Sequence, residues 1–301
     1  MRYIVPHSSP DLDAITSVWL IKKFLSGWED AQVKFVPAGE RLLPLPKGQG
    51  FEYAIEKKGE DEYIHVDTGM GPLDHHQTSD LNVCAATKTL DFVLSEMEKS
   101  VPAMGEDKLE ALRRIVGVVS QDDHFQEVFW GNPTDDYHEF SLINILEGLK
   151  LKNPDQDEYY VSFVIEALDA IRDQLENRIW AEKEIKEKGT EFETRFGKGI
   201  AFKTINDTVV KLSQKMGYEV VIRKDPRKGY VRIKARPDDL NKKGPKLDLT
   251  LVYEKLHKMD PEATWFLHVS KKMLLNGTTK NPKMKPTKLG LNDIIKVVEK
   301  V

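Results

Sequence analysis

MRYIVPHSSPDLDAITSVWLIKKFL, residues 1–25, changes rhythm twice. Arg2 to Pro6 is a short β-prone run. A polar turn follows, and then Ala14, Val18, Ile21 and Leu25 recur at helical spacing. The stretch reads as strand, loop, helix. In open α/β sheets ligands bind outside the carboxyl ends of the strands. The loop at that position, HSSPDLDA, carries His7, Asp11 and Asp13.

Outward from this unit the alternation continues. VKFVP from Val33 reads as a second strand, and EYIHV, from Glu62 to Val66, as a third that stops at Asp67. Val83, Ala86, Leu90, Val93 and Met97 share one helical face, and Leu109 to Val119 is a further helix. Alternating strands and helices imply a mostly parallel sheet with helices on both faces. Val161, Val164, Leu168, Ile171, Leu175 and Ile179 then mark one long helix from Asp155 to about Lys188. Beyond it, GIAFKTI, YEVVIRK and YVRIKAR read as strands of a smaller sheet. Asp248 to Lys258 reads as a helix, WFLHV from Trp265 as a strand, and Leu291 to Val301 as a final helix. The expected class is α/β. A domain with a mostly parallel sheet spans 1–150. A long linker helix, 151–194, offers a face for homodimerisation. A smaller α/β domain spans 195–301.

Composition narrows the function. Lys plus Arg is 45 against 49 for Asp plus Glu, a net charge of −4 over 301 residues. This excludes a general polyanion binder, so any grip on phosphate needs a local basic patch or a bound cation. With 40% hydrophobic and 31% charged residues, the chain fits a soluble globular protein. The single cysteine, Cys84, excludes an internal disulfide and fits a reducing compartment. The N-terminus turns polar too soon for a signal peptide, and no apolar run of about 18 residues is present to span a membrane. A cytoplasmic protein with no membrane partner is expected.

Three more segments resemble the first loop in chemistry. Asp67 ends a strand; Asp74, His75 and His76 follow the turn GMGPL; Asp122, Asp123 and His124 follow the apolar run IVGVV. Imidazole nitrogen together with carboxylate oxygen suits Mn²⁺ or a similar transition metal. One carboxylate has two oxygens and can bridge two ions. Two ions about 3.5–4 Å apart can activate water and clamp an in-line phosphoryl displacement.

HSSPDLDA, the isolated Asp67, DHH at 74–76 and SQDD at 120–123 stand in the order of the four motifs of the DHH phosphoesterase superfamily, which they resemble. That group includes RecJ-like exonucleases, oligoribonucleases, cyclic-dinucleotide phosphodiesterases, exopolyphosphatases and family II pyrophosphatases. DHHQ, with Gln77, is also like the motif of the melanocyte-proliferating-gene family of metal-dependent hydrolases, which degrade RNA. The resemblance implies that His7, Asp11 and Asp67 hold one metal. Asp13, Asp67, His75 and Asp122 hold the other, with Asp123 the alternative fourth-motif ligand. It implies that His76 faces the substrate phosphate and that Asp74 orients a histidine. Two Mn²⁺ per chain are expected, with Mg²⁺ or Co²⁺ as substitutes. The family's GGGH motif is absent, and HVSKKMLLNG stands in its region. There His268, Ser270, Lys271, Lys272, Asn276 and Gly277 are the expected substrate-binding residues. The Ser-Lys-Lys resembles the basic motif of family II pyrophosphatases.

Plainer readings stand beside these. His7 to Asp13 is also a helix N-cap with an acidic first turn, and His75 and His76 alone would suit a surface turn. Asp123 and His124 read as supporting or surface residues, His65 as a core or interface histidine, and His138 as structural. The basic run Arg223, Lys224, Arg227, Lys228, Arg232, Lys234 and Arg236, with Tyr230 inside it, reads equally as a phosphate track or as a hairpin's solvated face. Lys280, Lys283, Lys285 and Lys288 read as surface charges. The expected activity is an Mn²⁺-dependent phosphodiesterase that acts on short oligonucleotides or a small nucleotide diester by a two-metal mechanism. A pyrophosphatase or exopolyphosphatase is one alternative. A non-catalytic, metal-dependent module that binds nucleotides or nucleic acid is another.

Overall fold

Strand β1 (Arg2–Val5) pairs in parallel with β2 (Gln32–Val33) and with β4 (Asp61–His65). Strand β3 (Glu56–Lys58) pairs antiparallel with β4, giving the order β2-β1-β4-β3. The computed structural model from which this follows describes residues 1–44, 54–98, 104–239, 246–278 and 281–300. The expected end of the last helix at Val301 and the expected surface charge Lys280 lie outside the described residues.

The first sheet is mixed, because β2, β1 and β4 run parallel while the short edge strand β3 runs against β4. Only Gly59 and Glu60 join β3 to β4, with Gly59 at φ +65, and so short a turn can only return the chain antiparallel. Its two faces differ as well. Ile4 and Ile64 point into a large core with α1 (Leu12–Phe24), α2 (Ala85–Glu98) and α3 (Glu106–Asp123). Tyr3, Val5 and Tyr63 point the other way, onto Val36 and Leu43. The period of two along each strand produces this split. Among the described residues the second face is covered by a loop cluster, not by the expected second helical layer. Helix α4 (Leu142–Lys152) adds Leu146 to the large core.

Helix α5 (Asp157–Lys188) serves two cores in turn. Tyr160, Val161, Val164 and Leu168 belong to the large core, while Ala181 and Ile185 pack with Ile200, Phe202 and Val221. The chain divides inside this helix into compact units Met1–Glu176 and Asn177–Val301.

The second unit has a six-stranded mixed sheet formed by β5 (Thr190–Thr194), β6 (Gly197–Lys203), β7 (Val220–Lys224), β8 (Val231–Ala235), β9 (Trp265–Leu267) and β10 (Met273–Asn276). The order is β5-β6-β7-β8-β10-β9, and only β6 and β7 run parallel. Ala201, Val220 and Ile222 face a core shared with α7 (Thr250–Met259) and α8 (Leu291–Glu299). Ile200, Phe202 and Val221 face α6 (Thr208–Lys215) and the end of α5. Among the described residues no helix is long and apolar enough to cross a membrane.

Candidate metal centre

The β1–α1 loop delivers two carboxylates at a helix start. Asp11 caps α1, its Oδ1 accepting from Ala14 N at 2.9 Å, while Oδ2 lies 3.7 Å from His7 Nε2. Capping and facing the histidine are therefore compatible roles for one side chain. Asp13 is buried, and its two oxygens accept from Ala85 N and Ala86 N at 2.7 Å each, which caps α2 from outside. Asp13 Oδ2 also lies 3.7 Å from His75 Nε2.

Asp67 sits between the two histidines. Its Oδ2 is 3.3 Å from His7 Nε2 and its Oδ1 is 3.5 Å from His75 Nε2. The buried backbone here is left-handed, with Asp67 at φ +52, a conformation that a short polar side chain tolerates better than most. Asp123, at the end of α3, brings Oδ1 to 3.5 Å from His75 Nε2. These spacings exceed a good hydrogen bond. They match two ligand atoms on one ion, since bonds of about 2.1 Å at the tetrahedral angle separate their atoms by about 3.4 Å. Asp67 Oδ1, His75 Nε2 and Asp123 Oδ2 are all buried without a hydrogen-bond partner. An orphaned buried polar atom costs about 1–3 kcal/mol, so three together fit a donor set awaiting a cation.

The protonation balance agrees. Burial pushes Asp13 well above the usual carboxylate range, and Asp67, Asp11 and Asp123 push it further. Burial, then Glu127 and Asp11, lift Asp122 to about 6. Asp123 is raised by burial against the pull of His75. Burial alone would lower His7, but contacts with Asp11 and Asp67 overcome it and push the ring up to about 10. Contact with Asp67 lifts His75 to about 9 against burial. A divalent cation held among these groups would displace their protons.

The third histidine is placed differently. His76 Nδ1 lies 2.6 Å from Asp74 Oδ1, and 58% of its side chain is exposed. Asp74 is buried, and it also accepts from Met70 N and His76 N at 2.6 and 3.1 Å. Burial would raise the Asp74 carboxyl, but these donors hold it below its usual range. A carboxylate only accepts, so His76 Nδ1 carries hydrogen and Nε2 is left for another partner.

Among the described residues, three groups have ligand atoms within 4.8 Å of one another: His7, Asp11 and Asp67; Asp67, His75 and His76; and His75, Asp123 and His124. Asp13 and Asp122 fall in none of them. The fourth-motif residue beside His75 is Asp123. The apolar face of α3 points there, because Asp123 continues the buried positions Val116 and Val119 at helical spacing. A second feature lies beyond sequence reasoning. The Arg41 side chain, 9% exposed, passes beneath the Asp67–Asp74 loop, where a Cβ on Gly69 would clash with Arg41 Cγ and one on Gly71 would meet Nη1 at 2.5 Å. Arg41 Nη2 is held by Glu56 Oε1 at 2.5 Å, and the same oxygen lies 2.9 Å from His65 Nδ1.

The residues expected to bind substrate lie in the second unit, in and after the β9–β10 turn. His268 Nδ1 is 2.8 Å from Ser270 Oγ. Lys271, at φ +58, pairs with Asp248 at 3.1 Å. Lys272 Nζ donates to Asp238 at 2.5 Å and to Leu247 O at 2.6 Å. Asn276 is fully buried; its amide donates to Thr264 O and Lys285 O and accepts from Thr287 N. Gly277, at φ +82, lies against the Tyr230 ring, where any Cβ would clash. The geometry thus gives Asn276 and Gly277 structural work. Three of the seven cations in the basic run have a carboxylate partner as well. Arg223 is buried, and it shares Asp207 with Arg232, its partner in the β7–β8 register. Arg236 pairs with Glu219 at 3.3 Å.

No protein-family model matches the chain, and no curated protein matches it. Three of the solved structures to which the chain is weakly similar are as follows. An uncharacterized protein from Helicobacter pylori gives a TM-score of 0.23 at 13% identity, over 100% of this chain and 99% of that one. RecJ in complex with Mg²⁺ from Thermus thermophilus gives 0.31 at 11% identity, over 99% of this chain and 49% of that one. RecJ in complex with Mn²⁺ from the same organism gives 0.29 at 8%, over 99% and 51%. The chain therefore spans about half the length of RecJ. Likeness at this level carries neither fold nor function from one protein to the other.

Proposed function

We propose that the first unit is the metal-binding half of a phosphoesterase, an Mn²⁺-dependent phosphodiesterase acting on a small nucleotide diester or a short oligonucleotide. The observation that carries this reading is Asp67, a buried carboxylate whose two oxygens face two different histidines. His7, Asp11 and Asp67 would hold one ion, and Asp67, His75 and Asp123 would hold the second, with Asp13 and Asp122 adding negative charge beside them. Bound there, two divalent cations would acidify a water and draw charge from phosphoryl oxygens. His76 is exposed and offers Nε2 to a phosphate or leaving oxygen, while Asp74 fixes its tautomer and orientation.

Paired cations favour a small substrate. Arg223, Arg232, Arg236, Lys271 and Lys272 each have a carboxylate partner, which weighs against a long phosphate track. It weighs equally against the very basic pocket that a pyrophosphatase needs. A non-catalytic binding module has no use for a bridging carboxylate. The test is an Mn²⁺-supplemented screen against a chromogenic diester, cyclic dinucleotides, short RNA and DNA, and pyrophosphate, with metal analysis of the same samples. Hydrolysis of a diester with two Mn²⁺ bound is expected. Pyrophosphate as the preferred substrate would favour the alternative, and binding without turnover would favour the module.

A further inference from the structure

His124 ends α3 beside the proposed metal centre, and its two ring nitrogens have different surroundings. Nε2 lies 3.1 Å from the carbonyl oxygen of Val83. A carbonyl only accepts, so Nε2 carries the hydrogen. The other nitrogen, Nδ1, lies 3.6 Å from Asp123 Oδ2, a buried oxygen with no hydrogen-bond partner. The opposite oxygen of the same carboxylate faces His75 Nε2 at 3.5 Å, and that nitrogen is orphaned too, on a residue 8% exposed. The two rings lie edge to face with centroids 5.8 Å apart, and ligand atoms of His75, Asp123 and His124 fall within 4.8 Å of one another. A histidine that donates one N–H to a backbone carbonyl and aims the other nitrogen into a cluster of acceptors has the usual posture of a metal ligand.

We propose that His124 is a metal ligand through Nδ1 and completes, with His75 and Asp123, a nitrogen-rich subsite that selects a transition metal over Mg²⁺. The proposal rests on the metal-centre reading above and adds a donor that the four motifs do not contain. Its chemistry follows from hardness. Mg²⁺ prefers six oxygens, whereas two imidazoles on one ion favour Mn²⁺, Co²⁺ or Zn²⁺. The competing account is an ion pair, with His124 doubly protonated against Asp123 and no metal contact.

The experiment uses the full chain, stripped with a chelator and reloaded with Mn²⁺ alone or Mg²⁺ alone. His124→Asn keeps a polar atom near the Nδ1 position and preserves the fold, and His124→Ala is the second variant; circular dichroism confirms that each is folded. Pulsed electron paramagnetic resonance on Mn²⁺-loaded, ¹⁵N-histidine-labelled protein reports the coordinated imidazoles. The wild type is expected to show three, from His7, His75 and His124, and each variant two. The Mn²⁺ Kd at the weaker site should rise about 10-fold or more in both variants, while the Mg²⁺ Kd changes less than about threefold. An unchanged imidazole count in variants that still bind two Mn²⁺ would overturn the proposal, make His124 the ion-pair partner of Asp123, and leave the proposed function standing. A wild type that binds no Mn²⁺ would overturn both.

Discussion

In the first unit Asp11, Asp13, Asp67 and Asp123 crowd around His7 and His75, and three of their buried polar atoms have no partner. In the second, five cations are paired, with Asp207 between Arg223 and Arg232, Glu219 beside Arg236, Asp248 beside Lys271 and Asp238 beside Lys272. Charge density does not separate the two regions; satisfaction does. A charge that has found its partner inside the protein has little left to offer a ligand. A carboxylate that raises its neighbours' pKa and keeps a bare oxygen marks a place where something is to be added.

The sharpest way to break this contrast is Asp67→Asn. Loss of both Mn²⁺ and a fall in turnover of about 10³-fold or more are expected, measured by metal analysis and diester hydrolysis. Unchanged metal content would remove the bridging role. Next comes Glu56→Ala, which leaves Arg41 charged and buried beneath the Asp67–Asp74 loop. Breaking a buried pair from one side costs about 3–5 kcal/mol, to be read in urea unfolding of the metal-free protein. A loss below about 1 kcal/mol would mean that the pair is solvated. His76→Ala should lower turnover about 10²-fold while metal content stays near normal. If the variant loses metal instead, His76 is a ligand.

Acid and metal should compete at the site. His7 near 10 and His75 near 9 stand above the ordinary imidazole value, so in the metal-free protein their contribution to stability is complete below about pH 6.5. That contribution is lost as pH rises through about 9 to 10. A bound metal needs both rings deprotonated, so Mn²⁺ affinity should rise with pH across that window, about tenfold per unit for each proton released. Calorimetry in buffers of different ionisation enthalpy counts those protons, and zero release would contradict the shifts. The smallest effect belongs to the paired unit. Arg236→Ala and Lys271→Ala should each change stability by less than about 1 kcal/mol. They should also leave the salt dependence of KM for a short RNA unchanged. A flatter salt dependence would show that these cations contact phosphate after all.

Much of this is legible in the chain. Strand, loop and helix in residues 1–25 follow from a clean change of period, and the order HSSPDLDA, Asp67, DHH, SQDD points to one metal-binding region. What stays hidden depends on distance or on short segments. Arg41 and Glu56 meet across a sheet edge and carry no motif. The β3–β4 hairpin is too short for its alternation to show, so the mixed direction of the sheet is hidden even though the glycine in KKGEDE signals a turn. The choice between Asp122 and Asp123 is a question of helix phase at a terminus, where one residue turns a side chain by about 100°. Lys271 and Lys272 look like free cations because Asp248 and Asp238, which pair with them, lie far upstream in the chain.

Asp13 carries one further consequence. Its two oxygens take the backbone N–H groups of Ala85 and Ala86, so this carboxylate is fixed by the docking of α2 on α1 and not by any ion. Asp11 is likewise fixed by the first turn of the helix it caps. The proposed metal centre is in this sense a socket rather than a fold wrapped around an ion. Ions bound at the proposed centre would leave and be exchanged without the walls collapsing, and the donor set would choose among those on offer.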